Sequence, residues 1–593
     1  MKNLNKTMKK ILLLFFIILS FISCNTSNNK EKDLERILLT NGVIFTADDK
    51  NIHPQAIGIE NGVIVAVGDK DKVTAELKNN FETIDLNGGF LMPGLIDSHV
   101  HVGSAGFQLT TVFFPENLNT AEDIDNFAVE SMKKDNAWFE DVLIFTNLSL
   151  SYWENLPLLE KVFNEGQFKD IPVILTGSDA HTGWANQKML ERAGLNSETI
   201  KVFPEVVFNS FGKNSDGTLN GFTAEGAWDE VVRHIPKISD EKLAVGIKLG
   251  AEYMNSLGFT AWLDPITNVL PLAPTFDAAP TKEDLGMLPA YTKVIRDKEI
   301  NAHVSALLLI NVNSDSSIVD DVLYVKNQFN DLEDFKITGV KIFQDGVIEY
   351  PAQTAKLTLD YIGREGYSGP ENINIDRYNN LIAALDKANV TAHTHAVGDR
   401  AVKEFLDAVE YARNVNENST VKHSITHLEV VQPNDIPRFS ELNVNCAMQL
   451  LWAGKEPGTS GLLKGSVPDE LIELLYPANS LIKNGAVVGG ASDWPVSTPN
   501  PFYAVFTAVT RLGSEGVLLP ESEMLSRKDA LELYTINAAK VIDREDEIGS
   551  IEVGKKADFV LMNKNLETIP NEEILDTNVV WTMFGGKIIY QAE

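Results

Sequence analysis

Eight apolar, strand-like runs recur through the middle of this chain, most of them separated by stretches long enough for a helix. They are Leu91–His101, Phe259–Asp264, His303–Ile310, Gly339–Phe343, Val390–Ala396, Ser424–Val430, Val444–Leu450 and Val487–Asp493. A short run that is apolar throughout fits a strand covered on both faces, and parallel strands need crossovers of helical length. One crossover opens at Ser526, a good N-cap with Asp529 three residues on, and reads as helical to about Ala539. Eight such repeats are the arithmetic of an α/β fold, a (β/α)8 TIM-like barrel, whose chemistry collects at the C-terminal ends of the strands. About 155 residues separate the first two runs, far more than a loop needs, so a large insertion after barrel strand 1 is expected.

The two ends of the chain have a different texture. Asn61-Gly62 between alternating apolar runs is a hairpin signal, and Asn41-Gly42 marks a second turn. Short strand-like runs return in Gly549–Met562 and Val579–Tyr590. The expectation is a small β-sandwich domain built from both termini. The organisation is therefore a signal peptide over 1–23, a tether over 24–36 and the N-terminal portion of the β-sandwich over 37–88. Barrel strand 1 follows in 89–104, the inserted subdomain in 105–255 and the rest of the barrel in 256–545. The C-terminal portion of the β-sandwich completes the chain over 546–593.

The N-terminus carries a basic start (Lys2, Lys6, Lys9, Lys10), an apolar core from Ile11 to Ile18, and Ser20-Phe-Ile-Ser-Cys24. That order is a secretory signal whose apolar core is short for a membrane span, and Cys24 after a small residue resembles the lipidation site of bacterial lipoproteins, the alternative being an ordinary signal peptide or an uncleaved anchor. Phe21 stands where Leu is more usual. The polar stretch from Asn25 to Arg36 has the character of a tether. Only Cys24 and Cys446 are present, so with Cys24 lipidated no disulfide can form. The net charge is −32, and removal of the four signal lysines takes the mature chain to about −36. Such a polyanion makes a poor nucleic-acid partner. Its expected contact with membrane is the lipid anchor, in a bacterial cell envelope facing periplasm or cell surface.

Chemistry-bearing residues cluster at the run ends. The first ends in His99 and His101, and residues i and i+2 of an extended strand share a face. Ten histidines in 593 residues would give about 0.2 such pairs by chance, so one pair is weak evidence. A second pair, His393 and His395, ends the fifth run. His427 ends the sixth, Asp493 the eighth, and Lys341 lies in the otherwise apolar fourth. Buried Lys and Asp are costly and are usually paired or functional. A barrel mouth carrying these groups is a coherent site for one or two divalent metal ions. Lys341 could instead pair with Asp345 or Glu349. His393 fits a group that hydrogen-bonds a ligand better than a ligand itself. His53, His234, His303 and His423 read as surface or core residues, and Trp452 and Trp494 as core.

These residues carry a resemblance. Met92-Pro-Gly-Leu-Ile-Asp-Ser-His-Val-His, His181-Thr-Gly-Trp-Ala-Asn, Val340-Lys-Ile-Phe-Gln-Asp-Gly, His395-Ala-Val-Gly-Asp-Arg-Ala, Ile425-Thr-His-Leu-Glu, Gly490-Ala-Ser-Asp and Gly549-Ser-Ile-Glu-Val-Gly-Lys-Lys-Ala-Asp resemble motifs of the amidohydrolase superfamily. Within it, the chain is similar to the family 3 branch that contains N-substituted formamide deformylase-like proteins, from about residue 37 to the end. The resemblance implies that His99, His101 and Asp493 bind the more buried metal and His395 and His427 a second, with Zn²⁺ the expected ion. It also implies that a carboxylated Lys341 bridges them, and that Asp493 takes the proton of the metal-activated water. His181 and Trp184 fall in what resembles a substrate-contacting loop. The implied activity is hydrolysis of a non-peptide, amide-like C–N bond in a small molecule. The same site could serve a lactonase, esterase or phosphotriesterase, and a different class of reading is a non-catalytic surface binding lipoprotein.

The lipidation reading has a direct test. Cys24→Ala should move the protein from the membrane pellet to the soluble envelope fraction; unchanged pelleting would refute the anchor.

Overall fold

The computed structural model describes residues 35–593 except 79, 277–281, 284, 330, 458 and 459. The signal segment, Cys24 and the tether up to residue 34 lie outside the described residues.

Eight parallel strands form one sheet: β1 (Leu95–Asp97), β2 (Phe259–Asp264), β3 (His303–Leu309), β4 (Phe335–Phe343), β5 (Thr391–Ala396), β6 (His423–His427), β7 (Val444–Met448) and β8 (Val488–Gly490). Each pairs with the next in chain order, in a register that sets Lys341 opposite His393 and Ala396 opposite His427. The seam between β8 and β1 is closed by Ser98, whose N–H and hydroxyl both reach Gly490 O at 3.0 and 2.8 Å. The result is the expected TIM-like barrel with added structure around it.

The first run does not enter this barrel as one strand. Phe90–Pro93 pairs antiparallel with Phe559–Met562 in another sheet, and only Leu95–Asp97 joins the barrel. Pro93 has no N–H to extend a ladder. At Gly94 a Cβ would stand 2.2 Å from Thr260 Oγ1, so the chain changes sheets through a close approach that glycine permits. His99 and His101 consequently lie beyond the strand, in irregular backbone. Ser526 does cap its helix, accepting from Asp529 N–H at 3.1 Å. That helix stops at Glu532, and a separate one, Ile536–Val541, follows.

Two small sheets use both ends of the chain. One holds the strands Val63–Gly68, Ala56–Glu60, Arg36–Thr40 and Glu82–Asp85, and the other Val43–Ile44, Phe90–Pro93, Phe559–Met562, Val579–Phe584 and Lys587–Gln591. Leu39, Ile57, Ile59, Leu91, Phe559 and Trp581 share one core between them. The Asn61-Gly62 hairpin forms with both residues at positive φ, as its turn type requires. Between β1 and β2 lies a six-stranded sheet spanning residues 138–224 with its own aromatic core, including Phe114, Phe145, Phe163 and Trp184. Helix Asp240–Ser256 then crosses helix Val102–Gln108 so closely that a Cβ on Gly106 would sit 2.1 Å from Gly246 O.

A buried imidazole pins the terminal strands to the barrel floor. His303, at the start of β3, sets Nδ1 2.7 Å from Asp334 and Nε2 2.9 Å from Asp558, with its ring against Phe584. Burial opposes the charged ring, but the Asp558 and Asp334 carboxylates outweigh it and raise the His303 pKa above the ordinary 6.5. A raised folded pKa contributes stability that is complete below the unfolded pKa and is lost as pH rises through the folded value. Urea midpoints followed from about pH 5 to about pH 9 should therefore fall more steeply in the wild type than in His303→Gln. Parallel curves would show that the imidazolium contributes nothing. His303→Ala should cost about 3–5 kcal/mol, since it strands a buried carboxylate.

Candidate metal centre

The exits of β1 and β8 are stitched together before any side chain points into the mouth. Asp97, fully buried, accepts from the N–H groups of His99 and Ser492, both at 3.1 Å. Asp493 N–H donates to His99 O at 2.9 Å, and His101 N–H donates to Trp494 O at 3.0 Å. Asp493 and His427 take left-handed backbone, φ 57° and 79°, which non-glycine residues hold only when their surroundings enforce it.

These constraints bring three donors together. His99 Nε2 and His101 Nε2 stand 3.3 and 3.2 Å from Asp493 Oδ1. Taken with one donor atom from each residue, the set fits within 4.8 Å. His99 Nε2 is buried and has no hydrogen-bond partner. Such an orphaned donor, beside a second imidazole and a carboxylate, fits a divalent ion, for which three protein ligands with an open position is a familiar arrangement.

Behind His99 runs a relay. Its Nδ1 lies 2.7 Å from His393 Nε2, and His393 Nδ1 lies 2.7 Å from Ser424 Oγ. If His99 Nε2 offers its lone pair, Nδ1–H donates to His393, whose own Nδ1–H donates to Ser424. His393 thus hydrogen-bonds the back of the His99 ring, the kind of contact that orients an imidazole able to ligate. Burial, reinforced by Lys341 and neighbouring imidazoles, holds His99, His393, His395 and His427 well below the ordinary imidazole pKa. Neutral imidazole is the form that ligates metal.

The remaining residues line the same chamber but stand outside the tight set. His395 Nε2 is 3.0 Å from Gly346 O, and its ring is 4.3 Å from that of His427. His427 Nδ1, buried and without a hydrogen-bond partner, lies 4.0 Å from Asp493 Oδ2, with Trp452 stacked on the ring at 5.8 Å. Lys341 is buried on β4 with Nζ 5.0 Å over the Phe343 ring, and burial brings its pKa down to about 7. Among the described residues it makes no ion pair with Asp345 or Glu349. The Asp345 carboxylate instead accepts the N–H groups of Lys356, Val397 and Gly398.

The chamber holds about 160 Å³ and opens beside a cavity of about 1000 Å³, with Thr275, Phe276 and Phe343 common to both linings. The inserted subdomain supplies part of its wall, His181 among it, 5.4 Å from the His395 ring. Burial opposes a charged His181, yet Glu225, with Asp179 and Asp493, leaves its pKa above the ordinary value. Trp184 is a correction to the sequence reading. It is buried in the core of the insertion, with Nε1 donating to Asn220 O at 2.9 Å, and does not line the chamber. Successive residues of a strand face opposite ways, so Thr182–Ala185 turns Trp184 inward and Gly183 toward Trp228. Trp228, Phe276, Phe343 and Glu225 escaped the sequence reading. Only Phe343 had a signal, its i+2 spacing from Lys341 on one strand.

A family model described as the amidohydrolase family matches residues 82–590. Protein LONG AFTER FAR-RED 3 of Arabidopsis thaliana is 26% identical over 565 residues, covering 93% of this chain and 91% of that protein. N-substituted formamide deformylase of Arthrobacter pascens is 22% identical over 575 residues, covering 94% of this chain and 98% of that protein. The crystal structure of an uncharacterized metal-dependent hydrolase from Pyrococcus horikoshii OT3 has the same fold, with TM-score 0.69 at 22% identity over 91% of this chain and 99% of that one.

The relay predicts a measurable weakening. Ser424→Ala should lower zinc affinity about 10–100-fold in competition with a chelator, with the far-ultraviolet spectrum unchanged. Unaltered affinity would mean that the His393–Ser424 pair has no influence on His99.

Proposed function

This chain belongs to the amidohydrolase family, metal-dependent enzymes acting on carbon–nitrogen bonds other than peptide bonds, and on that footing we propose that it hydrolyses an amide-like bond of a small molecule at the barrel mouth. The observation that carries the assignment is the convergence of His99 Nε2, His101 Nε2 and Asp493 Oδ1, the first of them a buried nitrogen with no hydrogen-bond partner. We assign these three to one divalent ion, Zn²⁺ by the donor set, and His395 with His427 to a second.

A bound ion would supply a Lewis acid that acidifies a water and polarises the carbonyl. The chain's own groups do the rest. Asp493 accepts the proton of the attacking water and returns it to the departing nitrogen, its left-handed backbone holding the carboxylate against both histidines. Lys341, with a pKa of about 7, offers much free amine near neutrality. That is the form that adds CO₂, losing one proton to become a carbamate able to bridge two ions. His181 faces the substrate from the insertion, and Phe276 and Phe343 stand where the chamber meets the outer cavity.

Turnover of a panel of small amides, with ester and lactone counterparts, tests the bond type. Preference for an ester or lactone would replace the amide assignment. Asp493→Asn separates chemistry from binding, because the amide oxygen can still meet an ion but cannot take up the proton. Its turnover should fall by about 10²–10⁴-fold with metal content kept. Near-normal turnover would place the proton acceptor elsewhere.

A further inference from the structure

Glu225 is a strained residue without a local reason for its strain. It precedes helix Gly226–Val232 with φ 48° and ψ −122°, a conformation that L residues rarely adopt, and its side chain makes no capping hydrogen bond. The carboxylate leaves the insertion and reaches the loop after β4. There it accepts from the Thr354 hydroxyl and lies against Gly346, where a Cβ would come 2.0 Å from Glu225 Oε1. Gly346 O is the group that pairs with His395 Nε2 at 3.0 Å.

The same carboxylate faces His181. Glu225 N–H donates to His181 O at 2.8 Å, and Oε1 lies 3.8 Å from His181 Nδ1, a buried atom with no hydrogen-bond partner. A carboxylate on that side favours hydrogen on Nδ1 and leaves Nε2 for the chamber. One side chain therefore touches the insertion's imidazole and the barrel loop whose carbonyl pairs with His395.

We propose that Glu225 is a positioning residue, holding His181 in the orientation and tautomer that it presents to substrate and keeping the insertion in register with the barrel mouth. The inference rests on the hydrolase reading for what His181 faces, but not for the contact itself. Glu225→Gln keeps an acceptor for Thr354 and removes the charge toward His181. Against an amide that the wild type turns over, kcat should fall at least 10-fold at similar KM, with Tm and metal content preserved. Glu225→Asp should recover part of the loss, and Thr354→Val, which frees the carboxylate, should reproduce it.

A second measurement needs no substrate. In protein labelled with ¹⁵N-histidine, the imidazole signals of His181, assigned with His181→Gln, should shift in Glu225→Gln while those of His303 and His423 stay. Wild-type kcat in Glu225→Gln with an unmoved His181 signal would overturn the proposal, as would a kcat loss that only tracks falling Tm. If the wild type cleaves no amide, the hydrolase reading fails, and the His181 signal alone decides the positioning.

Discussion

The carboxylate of Asp97 joins the first and last exits of the barrel. One oxygen accepts the N–H of His99 and the N–H of Ser492, so the two loops that carry His99, His101 and Asp493 share one buried anchor. Burial raises its pKa to about 7, a cost that those hydrogen bonds offset only in part. With the Ser98–Gly490 contacts and the Asp493–His99 and His101–Trp494 backbone hydrogen bonds, this tie gives the two loops a common frame.

Burial then sets the charge state of the site. Four buried imidazoles are disfavoured as cations by desolvation and by Lys341, a charge state that suits His99, His395 and His427 to ligation and His393 to supporting His99. The hydrogen-bonded chain from His99 through His393 to Ser424 fixes which nitrogen faces the pocket. The floor of the barrel obeys the opposite logic. His303 sits between two carboxylates, which favour its charged form despite equal burial, and its role there is to join elements.

The added structure has separate consequences. The terminal sheets close the floor through Asp558 and Phe584. The insertion walls the mouth, bringing His181 and Trp228 to a chamber whose His99, His101, Lys341, His395, His427 and Asp493 come from the barrel. Glycines at the crossing of helices Val102–Gln108 and Asp240–Ser256 let the backbones of those two helices pack in close contact.

Much of this was legible in the amino-acid order. Apolar runs separated by helical lengths specify parallel strands covered on both faces, and eight of them specify a barrel. Lysine, histidine and aspartate in such runs stand out because burying them is expensive. The breaks were less legible. Pro93-Gly94 marks a local break in the run from Leu91, but the close approach to Thr260 that demands glycine there comes from far along the chain. The sequence could place Trp184 near His181 but not assign it a face, because facing depends on which core the strand packs against. Glu225 carried no signal, as its contacts with Thr354 and Gly346 join positions far apart in the chain. Local composition determines which segments must be buried, whereas partners brought together by the closed barrel determine where each buried polar group points.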